Sequence, residues 1–453
     1  MKLRATLDNE RLASGFTSEN DIFHQEDLAK RLTSLVTSLS HGSVSILDGR
    51  WGTGKSTFVR MWIAHLEKIG VPAIYFDAFN FDYIQDPFQA VSSAFIKFAV
   101  DKKKTSLPAY QRYLNTTAKV AKRLAGVTAK AGAKLVTLGA VGAAEIDALE
   151  KLSDDLSDSA GEISEDAVKA LLERHASDSQ MFEALRKELQ ELPSLFSLKE
   201  NELESPKLVV VIDELDRCRP DFALGILETL KHFFRTDNIH FVLVTNMNHL
   251  CLSVNHRYGI LSESYEYIQK FFDFVIHFDQ NYETHQVGNV GNFVSSLFRD
   301  LMPSSASQED SQYIPDFVAR FSRAHRLSLR QIESVVTNVV LALLAANPRE
   351  FRPALILVAL CVLKTVKPEI YKTAKAGKFD YSSFSKFMSD GSWDGNFDLD
   401  RMLKLFRFYS DESVSDSDPE FRDYGRSLWD YNLDRFGVIP YLANSIVDRF
   451  GRV

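Results

Sequence analysis

Residues 49–56 read Gly49-Arg50-Trp51-Gly52-Thr53-Gly54-Lys55-Ser56 and fill every fixed position of the pattern G-x-x-x-x-G-K-S/T. Each residue type has a physical reason. The three glycines let the backbone take conformations that a Cβ would obstruct, so that successive N–H groups turn inward. A helix starting near Lys55 adds its partial positive end at the same point. The Lys55 ammonium can reach the β- and γ-phosphates of a nucleotide, and the Ser56 hydroxyl can ligate Mg²⁺. Arg50, Trp51, Thr53 and Thr57 complete the lining of such a loop. The octet alone would also suit a simple glycine turn, so the flanks decide. Before it, Ser43–Leu47 alternates as a short strand. After it, Phe58, Met61, Trp62 and Leu66 fall on one helical face that stops at Gly70.

Further strands read as Ala73–Phe76, Leu208–Ile212, His240–Val244 and Phe274–Phe278. The unbroken apolar runs of the third and fourth predict strands buried on both faces of a parallel sheet. Pro220 suits the first turn of a helix through about Phe234. Alternating strands and helices imply an α/β sheet covered by helices on both faces. A phosphate loop needs an acid at the end of a neighbouring buried strand to hold the metal through its water shell. Val209-Val210-Val211-Ile212-Asp213-Glu214 supplies it: Asp213 for Mg²⁺, and Glu214, one step on, to polarise the attacking water. Thr245-Asn246-Met247-Asn248 lacks the lysine and acid that would read guanine, so ATP is the default nucleotide.

Composition sets the outer limits. The 453 residues are 45% apolar, which excludes wholesale disorder, and 21 Gly with 13 Pro exclude a linker-dominated chain. A net charge of −8 argues against a protein that mainly coats nucleic acid. Three scattered cysteines, Cys218, Cys251 and Cys361, offer neither a disulfide framework nor a zinc site and fit a reducing cytosol. Met1–Asp8 has no apolar signal region, and the uncharged runs Leu135–Ala144 and Ala354–Leu363 are half the length of a membrane span. A soluble, cytoplasmic protein is expected.

Residues 101–206 break the α/β rhythm. Lys102–Lys134 holds nine bases and no acid, whereas Glu145–Asp166 holds nine acids and one base. Val120, Leu124, Val127, Ala131, Leu135 and Leu138 share a helical face from which the lysines are displaced. Such a helix can pack on its own protein and meet the acidic stretch, lie on a membrane surface, or track phosphates. After about Gln280 strand signals fade, and helices are predicted at Ser328–Ala345 and Pro353–Val366, with a Ser/Asp-rich loop at Ser410–Ser417.

Trp51 inside the phosphate loop, followed by Asp213-Glu214-Leu215-Asp216-Arg217-Cys218-Arg219-Pro220, resembles the KAP family of P-loop NTPases, in the STAND-like branch. Phe79-Asn80, Phe241–Asn246 with Arg257-Tyr258-Gly259, Tyr267–Phe272 and Leu327–Glu333 resemble further family segments in order. Two departures stand out. Many members carry membrane helices between the phosphate loop and the acid strand, where Ala118–Ala144 is too short and too charged. The family's sensor strand often ends in Asp, where this chain has Thr245 and Asn246.

The resemblance implies a P-loop NTPase fold, and the pattern along the chain divides it into a first core segment 1–100, a mainly helical insertion 101–206, a second core segment 207–280, and a helical domain 281–453. The resemblance also implies Mg-ATP binding and hydrolysis coupled to assembly or a conformational switch, in a homo-oligomer or with partner proteins of bacterial anti-phage defence. Asn246 is then a candidate sensor of the γ-phosphate. Arg217 and Arg219 are candidates for an arginine acting in trans, and Arg330 for a lid arginine. Two other readings compete: a nucleotide-gated scaffold with little turnover, and an ATP-driven nucleic-acid motor.

Overall fold

A computed structural model describes residues 9–130, 165–197, 206–259, 263–278, 287–302, 308–346, 350–395, 397–415, 421, 431 and 434–449. Five strands, β1 (Ser43–Asp48), β2 (Ala73–Asp77), β3 (Leu208–Asp213), β4 (Ile239–Thr245) and β5 (Phe274–His277), pair in parallel in the order β2-β3-β4-β1-β5. The α/β expectation holds. Every residue of β3 and β4 is buried, as their Val/Ile/Leu runs require. Alternate side chains go to opposite faces. Val210, Ile212, Phe241 and Leu243 join one core with Phe88, Phe95 and Phe234, while Val209, Val211, Val242 and Val244 join another with Phe58 and Trp62. β5 differs from a buried strand: among the described residues it is an edge that pairs with β1 alone, and its residues are partly exposed or exposed.

Helices cover both faces. The helix Lys55–Lys68 starts at the lysine, as expected, and buries Phe58, Met61, Trp62 and Leu66. The Trp62 indole N–H donates to Thr33 Oγ1 at 3.0 Å in the helix Glu26–Ser38, so its one polar atom is satisfied. Removing the ring would cost about 3–5 kcal/mol. On the other face lie Pro87–Asp101, Pro220–Thr229 and Met247–Tyr258. Pro220 opens its helix as expected, and Leu230–Phe234 carries it on as a π-helical turn.

Between β2 and β3 the chain also forms the helices Pro108–Lys130 and Glu165–Phe196, which pack against each other. Tyr113, Val120, Leu185, Leu189 and Leu192 are fully buried in the sheet's own core, each contributing about 1.5–3 kcal/mol. Among the described residues the basic helix therefore packs on its own protein. Its bases meet acids of the second helix: Arg123 is paired with Asp178 through bonds of 2.7 and 3.1 Å, and Arg112 with Glu188 and Glu191. These solvent-screened pairs set register more than stability. Residues 131–164, with the rest of the predicted apolar face and most of the acidic stretch, lie outside the described residues.

The described residues divide into two compact units: Asn9–Arg50 with Lys55–Phe278, and Trp51–Gly54 with the described part of Asp279–Val453. The second is helical. The run Ile356–Leu363 within Ala354–Val366 is buried on all sides by neighbouring helices, which accounts for its uniform apolarity. Among the described residues no helix is long and apolar enough to cross a membrane. Leu329–Ala345 opens on a capping box in which Ser328 Oγ accepts from Gln331 N–H and the Gln331 side chain accepts from Ser328 N–H.

Candidate functional site

Parallel pairing brings the carboxyl ends of the strands to one rim, where open α/β sheets bind ligands. Asp77 is in register with Asp213, and Asp48 with Thr245. β1 runs straight into the glycine loop, whose first N–H, from Gly49, donates to Thr245 O at 3.2 Å. A Cβ on Gly49 would lie 3.1 Å from Phe278 O and 3.3 Å from Lys55 Cδ, so only glycine fits without displacement. Gly52 takes φ +78° and Gly54 φ +93°, in the region that L side chains avoid. Gly52 also abuts the first turn of Leu329–Ala345: Arg330 N–H donates to Gly52 O at 3.4 Å, and a Cβ on Gly52 would lie 2.7 Å from Arg330 Cβ.

Lys55 is the first residue of its helix and is buried. Its ammonium donates to the loop's own carbonyls, Gly49 O and, at 3.0 Å, Arg50 O. Burial pushes the amine below its usual range, while the carboxylates of Asp216, Asp213 and Asp48 pull the other way. The loop therefore folds around a cation whose carbonyl partners phosphate oxygens can replace.

Asp213 is 2% exposed. Its Oδ1 accepts from Glu214 N–H at 2.8 Å and its Oδ2 from the Tyr75 hydroxyl at 2.9 Å. Burial raises the carboxyl, and hydrogen bonds from Ser56, Tyr75 and Glu214 N–H oppose that rise. Ser56 and Asp213 are thus brought together. A hydroxyl and a carboxylate form an all-oxygen set that fits a hard cation such as Mg²⁺.

Glu214 follows in left-handed backbone, φ 61° and ψ 28°, which opens a 3₁₀ turn over Leu215–Arg217. That turn returns Arg217 toward its own strand end, and its guanidinium pairs with Glu214 Oε1 at 2.9 Å. Arg219 is tied instead to the segment after β2, with its N–H on Asp82 Oδ2 at 3.2 Å and its guanidinium on Asp82 O. Asn80, in that segment, bonds both Asp77 oxygens through its N–H and side-chain amide, at 3.1 and 2.7 Å.

Asp216 Oδ2 accepts from Asn246 N–H at 3.1 Å, and Asp48 Oδ1 from Met247 N–H at 2.8 Å, so both acids brace the turn after β4. The Asn246 side chain caps Met247–Tyr258 by accepting from Asn248 N–H at 3.2 Å. Its neighbour Thr245 is fully buried, and its hydroxyl has no hydrogen-bond partner among the described residues. Trp51 is 43% exposed. Among the described residues no cluster of three His, Cys, Asp or Glu stands ready to hold a metal by itself.

Sequence reasoning missed Tyr75, Arg60 and the bracing roles of Asp48 and Asp216. Tyr75 sits in an apolar strand, and Arg60 on what reads as a solvated helix face, so neither gives a signal before the strands are placed side by side.

No curated protein matches the chain. A solved structure of the Aeropyrum pernix ORC2 protein (ADPNP-ADP complexes) aligns over 95% of this chain and 94% of its own at 12% identity, with a TM-score of 0.36, a likeness too loose to build on. Residues 26–346 match the KAP family P-loop domain. That stretch is well over half the chain and carries both the glycine loop and the acid strand: the protein belongs to the KAP family of P-loop NTPases.

Proposed function

We propose that the chain binds ATP with Mg²⁺ and hydrolyses it to ADP and phosphate to drive a conformational switch or an assembly step. The observation that carries this is the meeting of Lys55, Ser56, Asp213 and Glu214 at one strand rim, with the Lys55 ammonium turned into the glycine loop. In this reading the Lys55 ammonium exchanges its carbonyl partners for β- and γ-phosphate oxygens, and the loop N–H groups hold the same phosphates. Ser56 and Asp213 would hold the Mg²⁺, which would neutralise charge on the phosphates. Glu214 accepts a proton from the water that attacks the γ-phosphorus. The buried Thr245 hydroxyl, Asn246 and Arg330 are assigned to sensing the nucleotide.

A role in bacterial anti-phage defence, within an oligomer or with partner proteins, rests on the motif resemblance alone and extends the proposal. One observation favours a slow, switch-like cycle over fast turnover. The Glu214 carboxylate is engaged by Arg217, so we assign Arg217 to restraining Glu214 in cis.

Calorimetry and phosphate release test the core of this reading. Lys55→Ala should abolish ATP binding. Glu214→Gln should bind ATP normally and lose about 10²–10⁴-fold in turnover. Undiminished phosphate release by Glu214→Gln would remove Glu214 from its role.

A further inference from the structure

Asp213 is held by a neighbour that the phosphate chemistry does not require. Tyr75 on β2 lies opposite Val211 of β3, and its side chain reaches diagonally past it to donate to Asp213 Oδ2 at 2.9 Å. Arg60 Nη2 in turn donates to the Tyr75 hydroxyl oxygen at 3.3 Å, and the guanidinium carbon sits 4.8 Å from the centre of the Tyr75 ring. Arg60 lies one helical turn beyond Ser56, so one helix presents both the candidate metal hydroxyl and the arginine that orients Tyr75.

The order of the three groups matters. A guanidinium placed directly on Asp213 would form a bidentate pair and compete with a cation's water for the carboxylate. An interposed phenol spends its single proton on fixing one oxygen and delivers no charge. We propose that Tyr75, oriented by Arg60, is a positioning residue that fixes the Asp213 carboxylate toward the Mg²⁺ water shell. This rests on the nucleotide reading above. Loss of a partner that orients a metal ligand typically weakens metal binding about 10–100-fold, and because Asp213 acts through water the low end, about 10-fold, is expected here.

The test is ATP binding to the full chain by calorimetry, first in EDTA and then across a Mg²⁺ titration, for wild type, Tyr75→Phe, Arg60→Met and Arg60→Lys. Tyr75→Phe should lose a few degrees of melting temperature and keep its Mg²⁺-free affinity, yet need about 10-fold more Mg²⁺ to reach half of the metal-dependent gain. Arg60→Met should shift the titration partway, and Arg60→Lys should restore part of that shift. A Tyr75→Phe titration superimposed on wild type overturns the proposal. So does an equal loss of affinity with and without Mg²⁺, which would mark Tyr75 as a purely structural strut. If wild type itself binds no ATP, or binds it indifferently to Mg²⁺, the nucleotide reading fails and takes this inference with it.

Discussion

His240 should make the sheet sensitive to mild acid. It lies fully buried on β4 opposite Ser43 of β1, with its Nδ1 2.9 Å from Ser43 Oγ and its Nε2 without a partner among the described residues. Burial lowers its pKa to about 4, and the Lys207 ammonium adds to the effect. In the unfolded chain the same imidazole returns to about 6.5. Because the folded value is the lower one, the unfolded state takes up the proton first as pH falls. The stability is therefore complete above the unfolded value and drains away from there down to about 4. Between pH 7 and pH 5 the loss is about 2 kcal/mol, on a slope approaching about 1.4 kcal/mol per pH unit. Urea unfolding of wild type and His240→Gln in small pH steps measures it, since Gln can keep a bond to Ser43 and does not titrate. The stability difference between the two proteins should move by about 2 kcal/mol over that window, with all other titrating groups cancelling. Parallel curves would show that the imidazole does not remain neutral in the fold, and the reasoning would fall. Function is linked, because β1 and β4 carry the glycine loop and the turn that Asp48 and Asp216 brace.

Gly52→Ala should lower stability by at least about 1–2 kcal/mol from its positive φ alone, before the overlap with Arg330 is counted, and should weaken ATP binding. A melting curve and an ATP isotherm both matching wild type would contradict this. Arg217→Ala should speed single-turnover hydrolysis several-fold, as expected from releasing a partly exposed pair worth about 1 kcal/mol. Abolished turnover, recovered on mixing with Glu214→Gln protein, would instead make Arg217 an arginine acting in trans.

The glycine octet and the Val209–Glu214 run were legible because each ties residue type to position: glycines where the chain must turn inward, an acid where a buried strand ends. Strand order was not legible, since β1 sits between β4 and β5 only through pairing across long stretches of chain. The resemblance makes Asn246 a sensor candidate, while its local role as N-cap to Asn248 follows from an Asn placed just ahead of a helix. Arg217 is, by the resemblance, a candidate to act in trans; the left-handed residue before its turn, invisible in the sequence, sends it back to Glu214. The bases of Pro108–Lys130 find acids, as their charge predicts, but Asp178, Glu188 and Glu191 lie beyond the dense acidic block.

The backbone of Glu214, at φ 61°, has a consequence for protein engineering. Handedness penalises an L residue there by about 1–2 kcal/mol, and Gly or Asn would occupy the spot with less strain. A library of this chain selected only for heat resistance should therefore enrich Glu214→Gly and Glu214→Asn, and under the function proposed here the survivors would have lost their chemistry. The robustness forgone at this single position measures what the fold gives up to keep a carboxylate there.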